Sequence, residues 1–295
     1  MKILVTGTEG QVARALAERA ADRPDLDLLC MGRPDLDLAR PETIERTVNE
    51  QTPDVVINAA AYTAVDRAED EPDLAMRING DAAGRIAGAA KSVGAKLIHL
   101  STDYVYDGVK LAPYVETDAA APQSAYGRSK LAGELQVHAQ YKGAVILRTA
   151  WVYSPFGRNF VTTMLELART RNQVSVVDDQ WGNPTSAHDI ADAVLTMADR
   201  WRWDCSIGAG NCYHCAGSGE ATWYELAQHV FDTSQALGGP SAEVAAINSS
   251  EWPTQAKRPL NSRLNCNKLL RAFGWQAPEW RASVTDVVSR LLAKH

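Results

Sequence analysis

The sequence predicts an α/β protein: a doubly wound parallel sheet followed by a smaller, mixed α/β C-terminal domain. Two textures predict it. Through the first 150 residues, short runs rich in Val, Ile and Leu alternate with longer helical patterns. Such runs, polar on neither side, suit strands buried on both faces, and strand–helix alternation builds a parallel sheet with right-handed crossovers. After residue 151 the loops lengthen and hold more Pro, Gly and Asn, as in "SPFGRN", "WGNPTS" and "WPTQAKRPLNSR".

The strands are expected at "KILVTG" (2–7), "LDLLCMG" (26–32), "DVVINAAA" (54–61), "AKLIHLS" (95–101) and "AVILRTA" (144–150). Helices are expected at "QVARALAERAA", at "PETIERTVNEQ" (41–51), from about 72 to 93 and from about 124 to 140. Beyond these come helices at "NFVTTMLELARTR" and "SAHDIADAVLTMADRW" with the strand "VSVVDD" between them. Two helices, "CNKLLRAFG" and "WRASVTDVVSRLLAKH", end the chain. The expected division is 1–152 for the sheet domain and 153–295 for the second, interleaved with the sheet around 173–220.

Composition narrows the class. Of 295 residues, 45% are hydrophobic and 22% charged, which is ordinary for a soluble globular protein. A net charge of −6 argues against nucleic acid as the partner, since phosphate binding wants a basic face. No run approaches the roughly 20 apolar residues of a membrane span. "ILV" after Lys2 is too short for a signal-peptide core, so a cytoplasmic location is expected. Five cysteines without a framework spacing fit a reducing compartment. "NCYHCAG" (211–217) reads as a short buried strand, because no further ligand pair completes a metal set.

"VTGTEGQVARAL" follows the first strand and opens the first helix. Gly7 permits the tight turn. Gly10 lets a pyrophosphate approach the backbone, and the helix beginning near Gln11 and Val12 offers unpaired N–H groups and a positive dipole end. Ala13 takes the third glycine position, where only close packing is required. This is the Rossmann-type arrangement for a dinucleotide. After the second strand, Arg33 suits a 2′-phosphate, which favours NADPH and leaves NADH open. It reads equally as a solvated loop arginine. Asp37 and Leu38 lie where they would flank the adenine.

At the chemical end, "LIHLSTDYVYDG" puts Ser101, Thr102 and Asp103 at the carboxyl end of a strand. "SAYGRSKLAGE" then opens the next helix with Tyr126 and Lys130 at i, i+4 spacing. By chance alone a chain of this composition holds about 0.3 such pairs, so position decides. Reducing a ketone needs a hydride to carbon and a proton to oxygen. Tyrosine is a usable acid, and a nearby Lys130 ammonium and the cofactor's positive ring are expected to lower its pKa. Lys130 is also placed to bond a nicotinamide ribose, and Thr102 to orient the carbonyl. The plain alternative is a surface tyrosine with a solvated lysine one turn on.

The turn TGxxGxxA, the Ser-Thr-Asp strand end and YxxxK together resemble the extended short-chain dehydrogenases/reductases that act on nucleotide sugars. "NAAAYTAVDRAED", "STDYVYDG", "YGRSKLAGE", "LRTAWVYSPFGRNFVTTML", "DDQWGNPT" and "RPLNSRL" resemble, within that superfamily, the dTDP-4-dehydrorhamnose reductase family. The resemblance runs from residue 2 to the last helix. It implies NAD(P)H-dependent reduction of the 4-keto group of a dTDP-linked 6-deoxyhexose to dTDP-L-rhamnose. By that resemblance Tyr126 is the proton donor, Lys130 its partner and Thr102 the assisting hydroxyl. Gly10, Gln11 and Val12 then face the pyrophosphate, and Ala61, Tyr62 and Thr63 lie along the cofactor. Thr102, Asp103 and Trp151 contact the sugar nucleotide, and Arg258 lies near its diphosphate. Trp151 also reads as core, and Arg258 as a loop arginine. Some family members form magnesium-linked dimers through carboxylates on the first helix and near the "PT" segment. Ala15 and His188 stand in those regions here, so no metal ligand is assigned, Mg2+ stays open, and the assembly is monomer or homodimer. Alternatives are another nucleotide-sugar reductase or epimerase, or a regulatory subunit like the methionine adenosyltransferase β subunit.

Overall fold

The computed structural model describes residues 1–293. In chain order the first half holds β1 (Lys2–Thr6), α1 (Gln11–Ala20), β2 (Asp27–Met31), α2 (Pro41–Gln51), β3 (Val55–Asn58), α3 (Arg67–Asp70), α4 (Pro72–Met76), α5 (Ala82–Ser92), β4 (Lys96–Thr102), α6 (Ala125–Gln140) and β5 (Val145–Thr149). The second half holds β6 (Val152–Tyr153), α7 (Phe160–Ala168), β7 (Gln173–Val177), β8 (Trp181–Gly182), β9 (Thr185–Ser186), α8 (Ala187–Trp201), β10 (Cys212–His214), β11 (Ala221–Thr222), α9 (Trp223–Ala236), β12 (Glu243–Ile247), α10 (Asn267–Phe273) and α11 (Trp280–Leu292). Lys294 and His295, which the expected last helix included, lie outside the described residues.

Six strands form one parallel sheet in the order β10-β5-β4-β3-β1-β2. The fold is therefore the predicted Rossmann-type doubly wound sheet. Alternate strand residues feed two cores. Ile3, Val5, Ile57, Ile98 and Leu147 pack with Leu16 of α1 and Ile190 and Val194 of α8. Val56 and Leu97 pack on the other face with Ile44 of α2, Ile86 of α5 and Val137 of α6. Period-2 alternation with apolar residues on both faces is what a sheet covered on both sides requires. The chain steps from β1 out to β2, then from β3 in the opposite direction. The switch point thus lies between β1 and β3, and ligands bind outside the carboxyl ends of strands at such a point.

After β5 the chain both leaves the sheet and returns to it. Helix α8 covers the first core and β10 extends the sheet beside β5. Around them, α7, α9 and α11 enclose a separate core with Val174 and Val176 of β7, among them Leu226, Phe231, Trp280 and Val287. Strands β7 and β12 pair in parallel within this unit.

Several segments differ from the sequence reading. The helix expected from 72 to 93 is interrupted by a π turn at Arg77–Asp81. The wider turn carries an extra residue, and such turns recur at functional sites. Helix α9 and strand β12 were not expected. Their signal is in the sequence: Thr222 and Glu225 form the capping box that starts α9, with reciprocal bonds at 3.2 and 2.8 Å.

Candidate active site

Gly7 leaves β1 at φ +92°, a conformation that glycine adopts without steric cost, and donates to the Met31 carbonyl at 2.6 Å. A Cβ here would stand 3.3 Å from the Cβ of Ala60, so the turn closes directly on the end of β3. Gly10 is the N-cap of α1, where no side chain caps the helix and no atom lies within 4 Å of where a Cβ would be. The first-turn amides of an uncapped helix lack intrahelical partners and carry the positive end of its dipole. Ala13 is buried in the first core and Val12 packs against it. The Gln11 side chain reaches the other way: its Oε1 accepts from Ser154 at 2.7 Å and its Nε2 donates to the Val152 carbonyl at 3.4 Å.

Hydrogen bonds fix the strand ends around this turn. The Thr6 hydroxyl donates to Asn58 at 2.9 Å and accepts from the amides of Ala59 and Ala60 at 3.1 and 3.0 Å. Asn58 continues the line to His99 Nδ1 at 2.8 Å. Arg33 is exposed just after Gly32, which packs on Thr8, and its side chain has no hydrogen-bond or ion-pair partner among the described residues. Asp37 is tied into its own loop: Oδ1 accepts from Ala39 at 3.0 Å, and its amide donates to Thr43 at 2.9 Å. Leu38 packs against the core under α2.

Beyond β3, Ala61 and Tyr62 are half-buried and Thr63 is exposed. Asn79, on the π turn, accepts from the Tyr62 amide at 2.8 Å. Its Nδ2 donates to the Tyr62 carbonyl at 3.0 Å and to Ser129 of α6 at 2.9 Å. The residue that the extra turn aims inward thus joins the loop after β3 to the Tyr126 helix. Sequence reasoning missed it; its signal is a lone Asn inside an otherwise small-residue helical pattern.

The chemical end is built by β4 and α6. Ser124 caps α6 by accepting from the Gly127 amide at 3.1 Å, and Glu69 of α3 accepts from the Ala125 amide at 2.7 Å. Gly127 is required by contact, because a Cβ there would meet the Tyr104 carbonyl oxygen at 2.3 Å. Tyr126 then projects against Tyr104, edge to face at 5.5 Å. Burial pushes its phenol up to about 12; the Thr102 hydroxyl opposes that shift and the Asp103 carboxylate adds to it. Thr102 donates to Asp103 Oδ1 at 3.1 Å. Asp103 Oδ2 is buried with no hydrogen-bond partner. Burial raises this carboxyl to about 6, with Ser262 and Thr102 pulling the other way.

Lys130 lies one turn beyond Tyr126, fully inside the protein, and donates to the Leu100 carbonyl at 2.7 Å. Burial lowers its ammonium to about 8, and Glu134 opposes the shift. The expected lowering of the Tyr126 pKa by Lys130 is therefore not what the structure has. The neighbours that act on the phenol are Thr102 and Asp103, so desolvation wins and the phenol stays protonated.

Trp151, between β5 and β6, has φ +48°, a strained conformation for an aromatic residue. Its indole stacks on Trp223 with centroids 3.5 Å apart and planes 7° from parallel. Gly182 packs on the same indole, where a Cβ would fall 2.3 Å from the ring. Trp223 was not singled out from the sequence. Arg258 forms a two-bond fork with Asp66 at 2.9 and 2.6 Å. The same carboxylate accepts from the Ala256 amide at 3.0 Å, and Asp70 accepts from Gln255 at 2.6 Å. The segment holding Arg258 is thereby fastened to α3, which also caps α6. The "CYHC" stretch is β10; His214 Nε2 bonds the Tyr106 hydroxyl at 2.7 Å, and burial lowers its imidazole to about 3. Among the described residues, no three His, Cys, Asp or Glu side chains gather as a metal cluster. Ala15 is buried, and His188 lies 3.5 Å from Glu18, which also pairs with Arg290 at 2.8 Å.

The family profile described as RmlD substrate binding domain matches residues 1–293. A dTDP-4-dehydrorhamnose reductase of Sinorhizobium fredii is 47% identical over 99% of this chain and 98% of its own length. Among solved structures, a dTDP-4-dehydrorhamnose reductase from Clostridium acetobutylicum is 37% identical with a TM-score of 0.91, covering 99% of this chain and 100% of that one. A dTDP-4-dehydrorhamnose reductase from Bacillus anthracis in complex with NADP is 33% identical with a TM-score of 0.87, covering 100% and 99%. The turn at Gly7 and Gly10, the Thr102–Tyr126–Lys130 set and this full-length likeness agree: the chain belongs to the RmlD substrate binding domain family, together with these dTDP-4-dehydrorhamnose reductases.

Proposed function

We propose that this protein is an oxidoreductase that converts dTDP-4-dehydro-L-rhamnose to dTDP-L-rhamnose with NAD(P)H, NADPH being preferred. The observation that carries the reading is the buried Tyr126 beside Thr102: a phenol held protonated at about 12, at the carboxyl end of the sheet, in a chain of this family. The related Bacillus anthracis protein is a complex with NADP.

The residues fit such a cofactor. The uncapped start of α1 and the open space at Gly10 form a cradle for a pyrophosphate, bounded by Gly7, Gln11 and Val12. Arg33, unpartnered beside that turn, suits the 2′-phosphate. Ala61, Tyr62 and Thr63 line the way toward the reacting centre. When bound, the reduced nicotinamide supplies the hydride. The protein's residues supply the rest. Thr102 orients the sugar carbonyl oxygen, and Tyr126 gives its phenolic proton to that oxygen as it becomes a hydroxyl. Lys130, charged below about pH 8, adds positive charge at the site. Asp103, ionised above about pH 6, accepts from the Thr102 hydroxyl and lies at the strand end where a sugar hydroxyl would meet it. Arg258 suits a diphosphate once it exchanges the Asp66 carboxylate for it, since both accept the same fork. Trp151 borders the sugar. No helix among the described residues is long and apolar enough to cross a membrane, and we place the enzyme in the cytoplasm.

The test follows NADPH absorbance with dTDP-4-dehydro-L-rhamnose as substrate. Wild-type protein should oxidise NADPH, and Tyr126→Phe should slow it by about 100-fold or more. No oxidation by the wild type, or undiminished oxidation by the variant, overturns the reading. Arg33→Ala should raise KM for NADPH about tenfold and leave NADH unchanged; equal effects on both remove the 2′-phosphate role.

A further inference from the structure

Helix α6 carries a third functional-looking group on the same face as Tyr126 and Lys130. Glu134 follows Lys130 by one more turn, so the three stand in a row at i, i+4 and i+8. Glu134 is 4% exposed. It accepts from Ser101 at 2.5 Å and takes the two-bond fork of Arg148 at 2.8 and 2.6 Å. Ser101 and Arg148 are directly paired across β4 and β5, so the fork lands where the two strands join. Arg148 also donates to the Tyr106 hydroxyl at 2.6 Å, which bonds His214.

A buried ion pair is weak evidence for stability, because desolvating both charges costs several kcal/mol against the attraction gained. Its place next to Lys130 supplies another reason for it. Lys130 bonds the Leu100 carbonyl on β4, and Glu134 takes the hydroxyl of the next residue, Ser101. Two successive rungs of α6 are thus pinned to two successive residues of one strand.

We propose that the Glu134–Arg148 pair is a positioning device for Lys130: it holds α6 in register on β4 and fixes the Glu134 carboxylate one turn from the lysine. The inference rests on Lys130 being the catalytic lysine. The charged or titratable groups that interact with Lys130 are Glu134 on α6 and His99 on β4. His99 is buried and held neutral by burial and by Lys130 itself, so it contributes no competing charge. Glu134 is the group that raises the ammonium's pKa against burial.

The test compares the pH dependence of kcat/KM in the wild type, Lys130→Arg, Glu134→Gln and the double variant Glu134→Gln/Arg148→Met. The double variant removes both charges and spares the fold an unpaired buried arginine. In the wild type activity should fall above about pH 8, the Lys130 limb. Lys130→Arg should abolish that limb, Glu134→Gln should move it down by about one pH unit, and the double variant, which also removes the Arg148 charge, should move it down by less. The same shift should appear without turnover. A buried lysine whose pKa is lowered makes the fold gain stability as pH rises through its folded pKa toward 10.5, so the rise in Tm should begin at lower pH in the variants. A limb that vanishes in Lys130→Arg but stays in place in the Glu134 variants overturns the inference alone. A limb that survives in Lys130→Arg overturns the reading of Lys130, and the inference with it.

Discussion

Two helices meet the site with their N-termini, and they begin in opposite ways. Helix α1 starts bare: Gly10 brings no side-chain cap and has open space where a Cβ would be. Helix α6 starts capped: Ser124 caps Gly127, Glu69 takes the Ala125 amide, and Gly127 presses on the Tyr104 carbonyl. The difference fits the role proposed for each end. A helix that binds an anion through its backbone has to leave first-turn amides unsatisfied. A helix that aims a side chain at a reacting atom has to have no freedom left, because small misplacements cost large factors in rate. On the proposed reading, binding belongs to the open start and chemistry to the closed one.

That contrast can be broken from either side. Removing the proton at the closed start, Tyr126→Phe, should have the largest effect, about 100-fold or more in kcat with little change in cofactor Kd. Asp103→Asn should separate function from stability. The Asp103 carboxyl is raised to about 6 against an ordinary 3.8, so its burial penalty is full above pH 6, fades as pH falls from 6 toward 3.8 and is gone below that. The Asn variant should therefore gain about 2–3 kcal/mol of stability at pH 7, lose that advantage near pH 4, and bind sugar nucleotide more weakly, as urea titrations at several pH values would read. Gly10→Ser should act only at the open start. Its backbone is already extended at φ −66° and ψ 148°, so a serine fits and caps α1. It should raise Tm slightly while weakening cofactor binding about tenfold, because the hydroxyl competes for amides a pyrophosphate would use. Ser124→Ala should be smallest, costing about 1 kcal/mol in stability and reducing kcat more than KM.

Much of this was legible in the sequence because it depends on local patterning. The five strands of the first half, the glycine turn and the start of α6 were marked by apolar runs, special residues and spacing. β10 was legible in "NCYHCAG" for the same reason. What was not legible depends on contacts between distant segments. Arg258 finds Asp66, 192 residues away, and nothing near either residue records the pairing. Lys130 was expected to tune Tyr126 because their spacing puts them on one helix face. Spacing does not say where a long side chain ends, and here it ends on the Leu100 carbonyl. Asn79 turns inward through the π turn at Arg77–Asp81, which shifts register within a pattern that reads as continuous helix. Trp223 acts by stacking on Trp151 from another unit of the fold.

The division of labour between the two helix starts is tested most directly by one paired measurement. NADPH affinity, from nicotinamide fluorescence, and the single-turnover rate at saturating cofactor are taken on Gly10→Ser and Tyr126→Phe side by side. Gly10→Ser should weaken affinity and leave the saturated rate at the wild-type value, and Tyr126→Phe should keep affinity and lose the rate. A Gly10→Ser protein that binds as the wild type does but turns over slowly, or a Tyr126→Phe protein that turns over at the wild-type rate, would contradict it.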